Sequence, residues 1–306
     1  MAAINGPGEW TYGIQLPIQS LSRSFVQSWE DDATVDDLVR IATTCDGAGY
    51  GFVGVCDHVA VPDNEYAAHM STTWYDTVAT LGFLAGHTER TRLLSVVWVA
   101  PYRHPLATAK AFGTLDHLSG GRAILGVGAG HVEAEFDALG IDFRTRGRRL
   151  DETLDAIRGV YSDTYVSHSG DFYEYDDVGV APQPATELPI WVGGMGAAAW
   201  RRTGRIGDGW IPMGNALDQY PEAIETMRTA AEAAGRGDVP LDIGFMTGAP
   251  DLAEESARAG LAENLRAARA AGANTFHLMF RGRDLDDYVA QLERFAEQVV
   301  PLVEEG

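Results

Sequence analysis

Basic residues are scarce in this sequence. Lys110 is the only lysine among 306 residues, and Lys and Arg together number 23 against 44 Asp and Glu, so the formal net charge is −21 at pH 7. A chain with this charge is a poor partner for nucleic acid or for an anionic membrane surface. We therefore expect neither as a partner, and we interpret the acidity as favouring solubility.

Cysteines and long apolar runs are scarce as well. The two cysteines, Cys45 and Cys56, lack the spacing of a metal site, which indicates no metal and favours buried thiols in a reducing compartment. No signal peptide is visible at the N-terminus, and no run of about 18 apolar residues is present. We therefore expect a cytoplasmic protein.

A dinucleotide fingerprint is missing, although strands and helices alternate along the whole chain. No Gly-x-Gly-x-x-Gly motif follows the first predicted strand, which disfavours a doubly wound dinucleotide fold. Eight βα units in about 300 residues instead predict a single (β/α)8 TIM barrel over residues 1–306. The eight strands are predicted near residues 14, 53, 96, 125, 191, 211, 243 and 277.

Three segments depart from the alternation. Residues 162–188 carry two short β-type runs around a Ser-Gly-Asp turn, which predicts an inserted hairpin outside the barrel. Residues 59–73 form a connection longer than usual, so they are candidates for a functional loop. Residues 1–10 show no clear pattern and are interpreted as a loose leader.

Two histidines follow predicted strands at the end where a TIM barrel places its active site. His58 and Asp57 directly follow the second strand, and His131 follows the fourth. Because a histidine titrates near neutrality, either one is a candidate for donating and accepting a proton. The alternatives are a capping Asp57 beside a structural His58, and a solvent-exposed His131 at the start of a helix.

Two glycine-rich segments also follow strands. Gly128, Ala129 and Gly130 have almost no side chains, so their backbone could lie against a flat ring or a phosphate, or form an ordinary turn. Gly193 to Gly196 precede a predicted helix, whose free N–H groups would form an anion site. Arg148 is a weaker anion partner, with a solvated helix face as the alternative.

Several aromatic residues could line an apolar substrate pocket, although aromatic residues are more often found in cores. Trp98 is the strongest candidate, because it lies near the end of the third strand. His277 lies within a strand and is interpreted as a core histidine. The weaker pocket candidates are Trp74, Trp210 and Tyr66.

Five segments together carry a resemblance to a known family. The sequence is similar to the luciferase-like flavin oxidoreductases, and most similar to their coenzyme F420-dependent branch, over roughly residues 12–300. The segments are DH at 57–58, YRHP at 102–105, LDHLSGGRAILGVGAG at 115–130, RGRRLDE at 146–152, and PIWVGGMG with RIGDGW within 189–210.

The resemblance implies a TIM barrel with an inserted segment, a deazaflavin or flavin across the barrel mouth, and usually a homodimer. It implies a non-prolyl cis peptide at Ser95–Val96 and a proton-handling role for His58 near the cofactor ring. It also implies that the segment around Gly194 holds the cofactor phosphate. The cofactor-binding residues implied in this way are Asp57, His58, Ser95, Val96, Trp98, Gly128, Ala129, Gly130, Arg148, Gly193, Gly194, Met195, Gly196 and Ala197.

Two departures from the resembling enzymes bear on substrate and cofactor. The F420-dependent sugar-phosphate dehydrogenases have a glutamate where His131 stands and a lysine near Ala216, so a sugar phosphate is not the expected substrate. Luciferase-like FMN enzymes have an arginine about where Ala129 stands, which favours F420 over FMN. The function expected is hydride transfer between F420 and a small organic substrate. The alternatives are an FMN-dependent two-component monooxygenase and a barrel that stores flavin without turnover.

Overall fold

Parallel strands alternate with helices in the computed structural model, which describes residues 3–23, 26–64, 69–214 and 216–305. The barrel strands are β1 (Thr11–Gln15), β2 (Phe52–Val55), β3 (Arg92–Ser95), β4 (Trp98–Val99), β5 (Ala123–Gly128), β8 (Ile190–Gly193), β9 (Gly209–Ile211), β10 (Asp242–Met246) and β11 (Thr275–Leu278). They hydrogen-bond in the order β3-β2-β1-β11-β10-β9-β8-β5-β4, and pairing of β3 with β5 closes the barrel.

The strand predicted over residues 93–100 is divided into two pieces, β3 and β4. Counted as one, they give eight barrel strands within the described ranges, and the predicted TIM barrel is confirmed. The helices are α1 (Val35–Gly47), α2 (Thr77–Ala85), α3 (Pro105–Ser119), α4 (Glu133–Ala138), α5 (Arg146–Val160), α6 (Ala197–Ile206), α7 (Tyr220–Ala233), α8 (Glu255–Ala270), α9 (Leu285–Arg294) and α10 (Val300–Glu304). None of them is long and apolar enough to cross a membrane.

Local sequence explains where the helices begin and end. Thr34 accepts a hydrogen bond from the Asp37 N–H, and Asp37 bonds back to the Thr34 N–H, so a capping box starts α1. Pro105 opens α3, and Gly120 closes it with a left-handed φ of 70°. A π-helical turn over Phe295–Val299 separates α9 from α10, so the single terminal helix that was predicted is divided into two α-helices.

The barrel strands are buried on both faces. Side chains that point inward form a cluster of large apolar groups, and side chains that point outward pack beneath the helices. The inward cluster consists of Phe52, Leu94, Ile124, Trp191 and Ile211, with Val96 and Val97 partly buried against it. The barrel interior is therefore a packed core, and any ligand site must lie at its rim.

The N-terminal segment closes the bottom of the barrel, so the interpretation of residues 1–10 as a loose leader was wrong for the described part. Ile4 packs against the inward cluster, and the Ile4 and Asn5 N–H groups donate to Asp242 at 2.8 and 3.1 Å. Asn5 also donates its side-chain amide to Asp242 and to Thr275. These long-range hydrogen bonds hold the segment at the N-terminal ends of the strands.

The predicted insertion is a two-stranded antiparallel hairpin, β6 (Val166–Ser169) and β7 (Glu174–Val178), in a sheet separate from the barrel. The Glu152 carboxylate of α5 accepts backbone N–H bonds from Asp171, Phe172 and Tyr173 in its turn. The hairpin is therefore fastened along the outside of α5.

The cis peptide lies one residue later than the resemblance implied. It is the Val96–Val97 bond, whereas Ser95 still belongs to β3 and pairs with Val55. The Val96 N–H also donates to the Val55 carbonyl at 2.8 Å, so the strand ladder continues through Ser95–Val96. Nothing in the local sequence distinguishes these two bonds.

Candidate active site

His58 and His131 meet at the rim of the barrel, as the sequence predicted. The His58 and His131 ring centroids are 6.1 Å apart, and the Trp74 ring centroid lies 4.3 Å from that of His58. His58 comes from the loop after β2, and His131 comes from the loop after β5. The rim therefore brings together two imidazoles from strand ends that lie far apart in sequence.

Glu135, a residue that the sequence reasoning missed, holds His58 in place. Its side chain is fully buried, and one carboxylate oxygen lies 2.9 Å from His58 Nδ1. The same carboxylate accepts hydrogen bonds from Tyr102 Oη at 2.8 Å and from the Val59 and Ala60 N–H groups at 2.5 and 3.0 Å. Each carboxylate oxygen therefore has two partners in this network.

This network keeps Glu135 ionised. Burial by itself raises the pKa of a carboxylate, but the hydrogen bonds from His58, the Ala60 N–H and Tyr102 outweigh that effect and lower the pKa of Glu135. An ionised carboxylate only accepts hydrogen bonds, so His58 Nδ1 must carry the hydrogen that it donates to Glu135. The other ring nitrogen, Nε2, is then left to exchange a proton.

His131 has a different environment from His58. Its side chain is exposed, and the protein that surrounds the rest of its ring lowers the pKa of His131, with a smaller contribution from neighbouring His58. No hydrogen bond from a described residue fixes its orientation. His131 is therefore neutral near pH 7 and is free to turn toward or away from the rim.

Asp57 and Trp98 lie behind the rim. Asp57 forms a two-pronged ion pair with Arg103, at 2.7 and 2.9 Å, and accepts the Val99 N–H at 2.8 Å. The Arg103 guanidinium lies 3.6 Å above the Trp98 ring, and Trp98 is only 3% exposed. Burial raises the pKa of Asp57, and Arg103 opposes that shift. The structure thus encloses Trp98 in the barrel wall, where it does not line an open pocket.

Of the other aromatic candidates, one lies at the rim and one is buried. Trp74 stands at the rim beside His58, with its indole N–H donated to the Ser71 carbonyl at 2.6 Å. Trp210 is buried and donates to the Gly194 carbonyl at 2.8 Å, which anchors the segment before α6. Tyr66 lies outside the described residues.

Packing explains three of the five glycines that were expected to face a cofactor. A Cβ at Gly128 would lie 2.6 Å from Val97 Cγ2, and one at Gly193 would lie 2.8 Å from Val97 Cγ1. Gly130 has a φ of 82°, and a Cβ there would lie 2.7 Å from a methyl group of Val99. These residues are glycine because Val97 and Val99 fill the space beside them, whereas Ala129 between them is partly buried against the core.

Ser95 and Val96 lie at the floor of the mouth. Ser95 is fully buried, and its hydroxyl donates to the Gly126 carbonyl at 2.8 Å, so its side chain serves the strand ladder. Val96 is partly exposed above the inward cluster. Below them, His277 is buried beside Phe52, its Nε2 has no partner among the described residues, and burial lowers its pKa to about 4.

The start of α6 is a candidate anion site. Gly196 has a φ of 78°, no side chain caps the helix, and a Cβ at Gly196 would meet nothing within 4 Å. Within the described residues, no hydrogen bond uses the N–H groups of residues 195–198. Met195 and Ala197 are exposed there. Unpaired N–H groups at a helix N-terminus, with no bulky side chain above them, suit a phosphate.

Arg148 does not turn toward this anion site. Its guanidinium lies 3.4 Å from Asp171 and 5.2 Å from the Phe172 ring, both in the hairpin turn, and its side chain is 67% exposed. The structure therefore places Arg148 on the hairpin side of α5. A role for Arg148 at the phosphate would require a different rotamer.

The rim as a whole fits a flat ring with a phosphate arm. The partly exposed Val96 and the imidazole of His58 offer an apolar floor and a proton-exchanging group, and the open start of α6 offers anion donors. Cysteine is not part of this arrangement, because burial raises the pKa of Cys56 to about 11 and keeps its thiol protonated.

Comparison with known proteins gives a consistent result. The luciferase-like monooxygenase family matches residues 16–299 of this chain. An F420-dependent glucose-6-phosphate dehydrogenase from Kineococcus radiotolerans is 32% identical over 211 residues, which cover 67% of this chain and 61% of that protein. An FMNH(2)-dependent dimethylsulfone monooxygenase from Pseudomonas fluorescens is 28% identical over 205 residues, which cover 66% of this chain and 56% of that protein.

Solved structures share the fold. An F420-dependent secondary alcohol dehydrogenase, solved with an F420–acetone adduct, aligns with a TM-score of 0.77 at 19% identity, over 96% of this chain and 99% of that one. At this identity the likeness concerns the barrel.

Proposed function

Because this chain belongs to the luciferase-like monooxygenase family and is an oxidoreductase, we propose that it uses coenzyme F420 to transfer a hydride to or from a small organic substrate. The observation that carries the proposal is His58 Nδ1 at 2.9 Å from the buried Glu135 carboxylate, on the same rim as the open start of α6. The F420-dependent relative at 32% identity supports the choice of cofactor.

The residues of the rim would have separate roles. The backbone N–H groups of residues 195–198 would hold the cofactor phosphate, and Val96 and Val97 would lie beneath the ring system. When bound, the deazaflavin supplies the carbon that accepts or donates hydride. Trp74 and the rim loops would exclude water from the reacting atoms.

His58 would handle the proton that accompanies hydride transfer. Nδ1 is bound to Glu135, so Nε2 is the atom that takes the proton from a substrate oxygen or returns it. The ionised Glu135 stabilises the imidazolium that forms when Nε2 is protonated, and the Tyr102 hydroxyl and two backbone N–H groups keep Glu135 in position. His131, with a lowered pKa, is a second proton acceptor.

Phosphate chemistry favours F420 over FMN. FMN ends in a compact, doubly charged phosphate that calls for a guanidinium partner, and Ala129 stands where luciferase-like FMN enzymes place an arginine. F420 carries a phosphodiester with one negative charge. Backbone N–H groups at the start of α6 can hold a diester without help from a side chain.

Titration of the purified protein with each cofactor tests the proposal. We expect F420 to bind more tightly than FMN, and reduced F420 to support turnover in a screen of small alcohols, ketones and unsaturated compounds. FMN binding that is tenfold tighter, equivalent to about 1.4 kcal/mol, would overturn the choice of cofactor.

A second candidate function is an FMN-dependent two-component monooxygenase. The dimethylsulfone monooxygenase at 28% identity favours it. Oxygen consumption with reduced FMN and a candidate substrate would distinguish it from hydride transfer with F420. The non-catalytic flavin-storage barrel has less support, because both of these relatives are enzymes and His58 is held in an orientation that storage does not need.

We further propose a homodimer that buries the outer face of α2 and α3. Phe83 of α2 is 43% exposed and Leu118 of α3 is 69% exposed. The α2 segment carries no charged residue. Sedimentation of the wild-type protein is expected to give a dimer, and Leu118→Glu is expected to shift it toward monomer. A wild-type monomer at micromolar concentration would contradict the proposal.

A further inference from the structure

Arginines cluster at one edge of this acidic chain. Residues 144–149, at the start of α5, read Arg-Thr-Arg-Gly-Arg-Arg, and α6 carries Arg201, Arg202 and Arg205. This concentration of positive charge occurs in a chain of formal net charge −21. Such a local excess attracts anions that the rest of the surface repels.

The two arginine-bearing helices adjoin each other. Arg202 of α6 donates to the Gly147 carbonyl of α5 at 3.4 Å and pairs with Asp151 at 2.7 and 3.2 Å. The first turn of α5 therefore lies against the second turn of α6. The arginines of the two helices are therefore carried by adjoining segments of the fold.

The three carboxylates of α5 are already engaged. Asp151 pairs with Arg202, and Asp155 pairs with Arg205 at 2.7 Å. Glu152 accepts the backbone N–H groups of the hairpin turn, and hydrogen bonds from Phe172 and Tyr173 lower its pKa although burial raises it.

Within the described residues, five guanidinium groups of these segments are left without a strong ion pair. Four of them have no carboxylate at ion-pair distance within the described residues, and the fifth, Arg148, meets only the exposed Asp171 at 3.4 Å. A pair exposed on both sides is weak. We call this set the arginine patch; its members are Arg144, Arg146, Arg148, Arg149 and Arg201.

The arginine patch begins one helical turn from the candidate anion site. Ala197 and Arg201 are both exposed and are four residues apart on α6, so they share one face and are separated by about 6 Å along the helix axis. A chain that leaves a phosphate at the start of α6 reaches Arg201 within a few covalent bonds.

We propose that the arginine patch binds the oligoglutamyl tail of the F420 cofactor; this rests on the proposed function. The tail is an extended chain of carboxylates attached to the phosphodiester. Guanidinium groups match carboxylates with paired N–H donors, and several of them along a surface can each engage one glutamate. Without the patch, a chain of net charge −21 would repel a cofactor with several negative charges.

The test compares two forms of the cofactor by fluorescence titration, without any turnover. One form is the deazaflavin phosphodiester with no glutamate, and the other carries several glutamates. We expect the wild-type protein to bind the tailed form about tenfold more tightly at 50 mM salt, and we expect that preference to shrink at about 500 mM salt because exposed charges are screened.

Single substitutions locate the tail. Arg201→Gln and Arg144→Gln are each expected to weaken binding of the tailed form by about two- to fivefold and to leave binding of the tail-free form unchanged. Arg228→Gln is the matched control, because Arg228 is an exposed arginine of α7 with no ion pair within the described ranges. It should change neither affinity.

The outcomes separate this inference from the proposed function. Equal affinity for the two forms in the wild-type protein would overturn the inference and leave F420 as the cofactor. A tail preference that survives both substitutions would place the tail elsewhere and would also overturn it. Failure of both forms to bind, with tight FMN binding, would remove the proposed function itself.

Discussion

Two buried carboxylates at opposite ends of the barrel differ in what surrounds them. At the bottom, Asp242 accepts hydrogen bonds from Ile4, Asn5 and the Trp191 indole, all of them neutral donors. At the rim, Glu135 meets a histidine. Burial raises the pKa of Asp242 to about 6, whereas the net shift lowers the pKa of Glu135.

The difference shows how one kind of buried group serves two purposes. Neutral donors satisfy the oxygens of Asp242 but do not fully offset the cost of burying its charge, so the pKa of Asp242 stays raised. Glu135 has an ionisable partner, so its charge can stabilise a proton on the ring beside it. The bottom of the barrel thus contributes to folding, and the rim contributes to proton transfer.

Removing the imidazole should have the largest effect. His58→Ala is expected to lower turnover with reduced F420 by about 10²-fold or more, because it removes the proton-exchanging group. The circular dichroism spectrum and melting temperature should stay close to those of the wild-type protein. His87→Ala, at an exposed histidine beyond the end of α2, is the control and should leave turnover unchanged.

An unchanged rate in His58→Ala would remove this histidine from the mechanism and would leave Glu135 with a structural role only. Asp242 and Glu135 would then differ in pKa, but both would serve only to stabilise the fold.

Removing only the negative charge of Glu135 should have the next largest effect on turnover. Glu135→Gln keeps the shape of the side chain but takes the negative charge from His58, so we expect roughly tenfold slower turnover. Steady-state turnover with reduced F420 measures this effect.

Glu133→Gln is the matched control, since Glu133 is an exposed carboxylate of the same short helix. Turnover in Glu135→Gln equal to that of the wild-type protein would indicate that Glu135 only supports the loop after β2.

The sequence predicted much of the barrel but little of the difference between Asp242 and Glu135. Apolar, β-branched runs mark strands buried on both faces, so the barrel strands and their order were predictable. His58 was predictable because it directly follows a strand. Glu135 lies 77 residues away from it, and the acidic start of α4 looks like an ordinary solvated turn.

Weak signals for the missed residues did exist. Val132 and Phe136 are buried, and Glu135 lies between them on the inner side of the turn, where a carboxylate needs several donors. The N-terminal segment was harder to predict, because its hydrogen bonds to Asp242 span 237 residues or more and leave no local period. The position of the cis peptide has no local signature at all.

Removing His131 should lower turnover less than removing His58. His131→Ala is expected to lower turnover by less than about tenfold, because no described residue orients its ring and His58 already exchanges the proton. Steady-state rates of the single variants and of His58→Ala/His131→Ala together would measure this. A loss in His131→Ala larger than that in His58→Ala would reverse their roles.

The bottom carboxylate should affect stability and leave turnover unchanged. The pKa of Asp242 is about 6 in the folded protein against a usual value of 3.8, so between about pH 4 and pH 6 the folded state binds more protons than the unfolded state. The free energy of unfolding should therefore fall by up to about 3 kcal/mol from this group as the pH rises through that window. The lowered pKa of Glu135 predicts the opposite sign at the rim, since its contribution is lost as the pH falls.

Denaturation by urea at several pH values can separate these two effects. Asp242→Asn cannot ionise, so the difference in unfolding free energy between wild type and variant should change across pH 4 to 6 and be constant above it. Asp238→Asn, at an exposed aspartate close by in sequence, should show no such change. A difference that is flat from pH 4 to pH 7 would mean that Asp242 is not held in a charge-disfavouring environment. The contrast between the two ends would then reduce to the presence of His58 beside Glu135.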